Sequence, residues 1–124
     1  MECIITGTVI HGKKLGRSLG FPTANLLIDP SLEIANGVYA GRVALTGKLY
    51  GALVNIGYNP TVPTGGKRLL EAHLLDFSGD LYGRTISVEL VAFLRPEQKF
   101  ASLDELRERI EQDKTEIIKI LETC

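Results

Sequence analysis

Hydrophobic residues recur at helical spacing in the tail of this chain, while everything ahead of it is cut by glycine, proline and turn residues into short strand-like pieces. "CIITGTVI" (3–10) is rich in β-branched residues and reads as a strand. "GVYAGRVAL" (37–45) and "LYGALVNI" (49–56) flank Thr46-Gly47-Lys48, which predicts a hairpin. "RLLEAHLLDF" (68–77) and "RTISVELVAFL" (84–94) give two more strands joined across "SGDLYG" (78–83), with Ile86, Val88, Leu90, Ala92 and Leu94 expected on one side. "GYNPTVPTGG" (57–66) marks a long loop. In the tail, Ser102 and Glu105 form a capping box, and Leu103, Leu106, Ile110, Ile117 and Leu121 follow at helical intervals. Five or six strands with one terminal helix predict a mainly β fold: a small closed antiparallel barrel over about 3–95, with an α-helix over about 102–121 laid on it.

A chain of 124 residues is one domain's worth and buries a core without metal or disulfide staples. Its formal net charge of −1 gives no bulk attraction to nucleic acid or to anionic membrane. No apolar run approaches the roughly 18–20 residues of a membrane helix, and the N-terminus "MECIITGTV" has no signal-peptide pattern, so a cytoplasmic location is expected. Cys3 and Cys124 are expected as two reduced thiols, and with His11 and His73 isolated they give no zinc-ligand spacing.

Gly7 to Lys13 is spaced as G-x-x-x-x-G-K, the skeleton of a P-loop, but Lys14 stands where the magnesium-binding Ser or Thr belongs. Gly16, Gly20 and Pro22 fall inside the helix such a loop would need. Two glycines cost about 1 kcal/mol each there and an interior proline about 3 kcal/mol. The Walker reading fails. The segment still has the ingredients of a phosphate cradle on a strand–loop–strand frame. Gly12, Gly16 and Gly20 let backbone approach a ligand, and Lys13, Lys14 and Arg17 offer positive charge. Pro22 fixes the backbone ahead of Thr23, and Thr23 and Asn25 alternate on an extended segment, so both face one site. A hydroxyl and an amide oxygen are ligands that Mg²⁺ or a similar divalent ion accepts.

The second constellation is Glu71 in "RLLEAHLLDF". On a strand, Leu69, Glu71, His73, Leu75 and Phe77 share one face, and Leu70, Ala72, Leu74 and Asp76 the other. A carboxylate among Leu and Phe is either an exposed strand residue at a charged rim or a general base that activates a hydroxyl for attack on phosphorus. His73 reads as a hydrogen-bonded structural histidine, and Asp76 and Asp80 as organisers of the turn.

"GTVIHGKKLGRSLGFPTANL" resembles the signature of the riboflavin kinase (flavokinase) family, whose glycine-containing loop leads into a PTAN tetrapeptide. "NGVYAGRV", "VNIGYNPTV" and "LLEAHLLDFSGDLYGRTISVELVAFLRPEQKFASLDELRERIEQD" follow in the family's order, so the resemblance spans about residues 4–114. Val62 stands where an aromatic is common after "NPT". The resemblance implies a six-stranded Greek-key barrel with a C-terminal helix that transfers the γ-phosphate of ATP to the ribityl 5′-hydroxyl of riboflavin, giving FMN and ADP. It implies that Thr23 and Asn25 serve the metal–nucleotide complex, that Gly12, Arg17, Gly20 and Pro22 belong to the loop over ATP, and that Glu71 is the base. Leu74, Asp76, Arg95 and Phe100 would border the flavin. Loops at 12–22 and at roughly 57–67 or 95–102 would close over the ligands.

Bacterial relatives in that family carry this domain behind an adenylyltransferase domain with an H-x-G-H motif, absent from this sequence, so FMN but not FAD is the expected product. A monomer is expected. Two other readings compete. Small barrels also bind nucleic acid, but they want a basic groove with stacking aromatics, and this chain has four Tyr, four Phe and no Trp on a slightly acidic balance. A non-catalytic flavin- or nucleotide-binding barrel is the other, and the presence of Thr23, Asn25 and Glu71 together argues against it.

Overall fold

The structure is a computed structural model that describes residues 3–10, 23–58, 67–77, 79 and 81–123. Among the described residues six strands and one helix follow in order: β1 (Cys3–Thr8), β2 (Thr23–Leu27), β3 (Gly37–Leu45), β4 (Lys48–Gly57), β5 (Leu69–Leu74), β6 (Thr85–Arg95) and α1 (Leu103–Glu122). All pairings are antiparallel in the order β1-β6-β3-β4-β5-β2. The meander β3-β4-β5 with β6 returning beside β3 is a Greek key. The sheet curls until its two end strands meet at one bridge, Ile10 opposite Asn25, where the Ile10 N–H donates to the Asn25 carbonyl at 2.9 Å. Among the described residues the barrel is closed at that point alone.

The β3–β4 hairpin turns on Thr46 and Gly47, with φ of 46° and 80°. Positive φ at both central residues matches the twist of the flanking strands, and Gly47 adopts it without steric cost. The barrel interior is filled by residues such as Leu26, Val43, Val54, Ile56, Leu70, Leu74, Ile86 and Val88. A second cluster lies outside the sheet, where Val38, Ala40, Leu53 and Leu75 pack against Ile110 and Ile117 of α1. Among the described residues no helix is long and apolar enough to cross a membrane.

Local differences from the sequence reading have identifiable causes. Ile86, Val88 and Leu90 point into the barrel, but Ala92 and Leu94 pack on the helix side. Register shifts between Val38 and Tyr39 and between Ala40 and Gly41 place extra residues in β6, and each one-residue slip turns the following side chains to the other face. The strand expected over 68–77 ends at Leu74, because Asp76 takes a left-handed φ of 55°. The helix begins where expected: Ser102 accepts from the Glu105 N–H at 3.2 Å, and Glu105 reaches back to the Ala101 N–H at 2.9 Å. Leu103, expected on the apolar stripe, is exposed. Cys3 is a free thiol, and Cys124 lies outside the described residues.

Candidate active site

The outer face of the sheet carries two rows of directly opposed residues. Asn25 of β2 pairs with Glu71 of β5, Glu71 with Asn55 of β4, Asn55 with Val38 of β3, and Val38 with Arg95 of β6. Two residue pairs along, on the same face, Thr23, His73, Leu53, Ala40 and Ala92 form the second row. Opposed residues in a sheet project from the same side, so the register alone gathers these side chains. Helix α1 packs against the apolar members of both rows, Val38, Ala40, Leu53 and Ala92, and the polar end consists of Thr23, Asn25, Glu71 and His73.

Between that end and the segment after β6 lies a cavity of about 560 Å³, walled by Asn55, Glu71, His73, Arg95, Glu97 and Phe100 among others. Val38, Leu53, Leu106 and Ile110 give it an apolar floor. An apolar pocket with a few convergent polar groups is the usual form of a small-molecule site. Charge is divided along its wall, with the carboxylates of Glu71 and Glu97 and the cations of Arg95 and Lys99. The Glu97 carboxylate lies against the backbone of Gly57, in the space that a Cβ at 57 would take. This contact joins the end of β4 to the 96–100 segment at the cavity rim.

Thr23 and Asn25 stand beside the cavity rather than in its wall. The Thr23 hydroxyl and His73 Nδ1 are 3.2 Å apart across the β2–β5 pair. Burial lowers the His73 pKa from 6.5 to about 4, which leaves a neutral ring at physiological pH. Asn25 is only 4% exposed, and its Oδ1 has no hydrogen-bond partner among the described residues. A buried acceptor left without a donor is costly unless a ligand satisfies it.

The far end of the cavity is fixed from the helix. Asp113 on α1 is fully buried and accepts from Arg95 Nε at 3.2 Å and Nη2 at 2.7 Å. Arg109, one helical turn earlier, adds a second cation at 3.3 Å from Asp113 Oδ1. The Arg95 guanidinium lies 5.9 Å from the centre of the Phe100 ring, close enough for cation–π attraction.

Of the residues singled out from the sequence, Thr23, Asn25 and Glu71 come together, and Arg95 and Phe100 meet at the other end of the same cavity. Leu74 and Asp76 do not join them. Leu74 is buried inside the barrel, and Asp76 is exposed beside Leu49, Tyr50 and the end of α1. Gly12, Arg17, Gly20 and Pro22, with Lys13 and Lys14, lie outside the described residues. The sequence reading missed Asn55 and Asp113. Each had a signal: Asn55 is the polar member of "ALVNI", and Asp113 falls between Ile110 and Ile117 on the buried helix stripe.

The family model for riboflavin kinase (flavokinase) matches residues 1–121 of the chain. A bifunctional riboflavin kinase/FMN adenylyltransferase of Escherichia coli K12 is 49% identical over 110 residues, covering 88% of this chain and 35% of that protein. The corresponding Haemophilus influenzae protein is 46% identical over 110 residues, with the same coverage of 88% and 35%. The chain therefore spans about a third of the length of these relatives. Among solved structures, a riboflavin kinase from Trypanosoma brucei superposes with a TM-score of 0.72 at 24% identity, covering 98% of this chain and 80% of that one.

Proposed function

The chain belongs to the riboflavin kinase family, and from that premise we propose that it transfers the γ-phosphate of ATP to the ribityl 5′-hydroxyl of riboflavin. The observation that carries this reading is the register of Glu71. Its carboxylate stands opposite Asn25 on one side and Asn55 on the other, in the wall of the cavity and two residue pairs from Thr23.

In the reaction the ribityl 5′-oxygen attacks the γ-phosphorus, its proton passes to the Glu71 carboxylate, and the bond to the ADP oxygen breaks. Glu71 serves because it is an acceptor facing the ligand, where an ionised carboxylate takes a proton at neutral pH. Arg95 and Phe100 hold the flavin end, Arg95 being rigid because Asp113 binds two of its nitrogens. The apolar floor of Val38, Leu53, Leu106 and Ile110 gives the flavin an apolar surface to lie on. Phosphoryl transfer needs mainly such positioning and charge neutralisation.

The donor set suits a hard divalent cation. The Oδ1 of Asn25, which has no hydrogen-bond partner among the described residues, and the Thr23 hydroxyl are the oxygens that would hold Mg²⁺. When bound, the ion neutralises phosphate charge. Gly12, Arg17, Gly20 and Pro22 contribute the nucleotide loop, and the flavin is held without Leu74, which faces the barrel interior, or Asp76, which lies beside the end of α1. The protein acts as a cytoplasmic monomer, without nucleic-acid or membrane partners. The product of this domain's reaction is FMN.

The test is direct: purified protein with riboflavin, ATP and Mg²⁺, followed by separation of the flavins. FMN formed with equimolar ADP supports the reading. Riboflavin bound but unchanged would favour a non-catalytic flavin binder.

A further inference from the structure

We propose that Asn55 selects flavins by the inner hydroxyls of their side chain, an inference that rests on the kinase reading above. The row Asn25–Glu71–Asn55–Val38–Arg95 crosses five neighbouring strands in that order. Adjacent strands are about 4.8 Å apart, so Asn55 is one spacing from Glu71 and Arg95 is three spacings, about 14 Å, away. The reacting hydroxyl belongs at Glu71 and the ring system at Arg95 and Phe100. The chain that leaves Glu71 has to pass over Asn55, and the ring system then lies over Val38.

The chemistry of that path is uneven. Val38 is buried and apolar, and Leu53 beside it in the second row is equally apolar. Asn55 is the member of the row between Glu71 and Arg95 whose side chain both donates and accepts hydrogen bonds. Its neighbours explain why it faces the ligand. Ala52, Val54 and Ile56 point into the barrel, which turns Leu53 and Asn55 outward. Leu53 is taken up by the helix-side cluster, whereas Asn55 lies at the cavity wall.

The lengths agree. A five-carbon chain extends about 6 Å at roughly 1.25 Å per bond, so with its terminal hydroxyl at Glu71 the inner hydroxyls lie one strand spacing away. That is the position of Asn55. Glu71, acceptor-only when ionised, offers no donor to a hydroxyl oxygen; the Asn55 amide supplies both donor and acceptor.

Two flavins separate this role from a structural one: riboflavin, and an analogue whose chain is 5-hydroxypentyl, with the terminal hydroxyl alone. For each, kcat/KM and the dissociation constant from quenching of flavin fluorescence are measured with wild-type protein and Asn55→Leu. The expected result is a preference for riboflavin that shrinks about tenfold in the variant, through riboflavin alone, with the analogue unaffected. Equal losses on both flavins, or an unchanged preference, would overturn the proposal. Asn55→Val, a residue suited to strands, gives the same comparison if the leucine variant does not fold. Absence of riboflavin phosphorylation by the wild type would refute the kinase reading instead, while the binding preference would still be read without turnover.

Discussion

Asp113 on the helix and Arg95 on the last strand form a two-point ion pair, with Nη2–Oδ2 at 2.7 Å and Nε–Oδ1 at 3.2 Å, and Asp113 has no exposure to solvent. Removing one partner of such a pair leaves an uncompensated buried charge, which costs about 3–5 kcal/mol. Asp113→Leu is therefore expected to lower stability by that amount in urea unfolding. It also frees Arg95, so riboflavin affinity falls while ATP affinity holds. The double variant Arg95→Met/Asp113→Leu should recover part of the stability, since Arg109 still loses its carboxylate, and none of the flavin affinity. A single variant as stable as wild type would show that the pair does not anchor the helix.

Glu71→Gln keeps the size and hydrogen-bonding reach of the side chain but cannot accept the ribityl proton. Turnover is expected to fall about 10²–10⁴-fold, the usual contribution of general base catalysis. Flavin binding, read by fluorescence quenching, should stay within a factor of a few. Wild-type turnover in this variant would remove Glu71 from the chemistry.

For Thr23→Ala the expected change lies in metal use. With one of two hard oxygens gone, half-maximal rate requires more Mg²⁺, and direct titration of Mn²⁺ by electron paramagnetic resonance in the presence of ADP shows weaker binding. Riboflavin affinity is expected to hold, since Thr23 stands beside the cavity, not in its wall. An unchanged Mn²⁺ titration would take Thr23 out of the metal site.

Much of this site was legible because strands alternate. Thr23 with Asn25, and Glu71 with His73, each lie two residues apart, and the period of two puts each pair on one face whatever the strands do next. The same parity counted against Leu74, three residues from Glu71 and so on the opposite face, where it is found. Parity holds only along an unbroken strand. The two shifts in β6 turned Ala92 and Leu94 outward, and nothing in "RTISVELVAFL" marks them, because a bulge is set by pairing with β3. Asp113, which the sequence reading missed, is a charge on the apolar stripe of the helix. Its partner lies 18 residues away, and the link appears only when β6 and α1 are packed together.

His73 gives a dependence on pH whose sign follows from its environment. Burial lowers its pKa from 6.5 to about 4, so the folded protein refuses a proton that the unfolded chain accepts. Above 6.5 the ring is neutral in both states and contributes nothing. As pH falls from 6.5 towards about 4, the unfolded state gains protons and stability is lost; below about 4 both states are protonated and the loss is constant. The full effect is about 3 kcal/mol, of which about 2 kcal/mol is already present near pH 5. His73→Asn retains a hydrogen-bonding group opposite Thr23 but has no proton to gain. Urea unfolding of both proteins near pH 7 and pH 5 isolates the residue from the carboxylates that also titrate in acid. The wild type should lose about 2 kcal/mol more than the variant between those conditions. Parallel losses would mean that the ring takes up its proton in the folded protein and that the cavity wall at His73 is open to water.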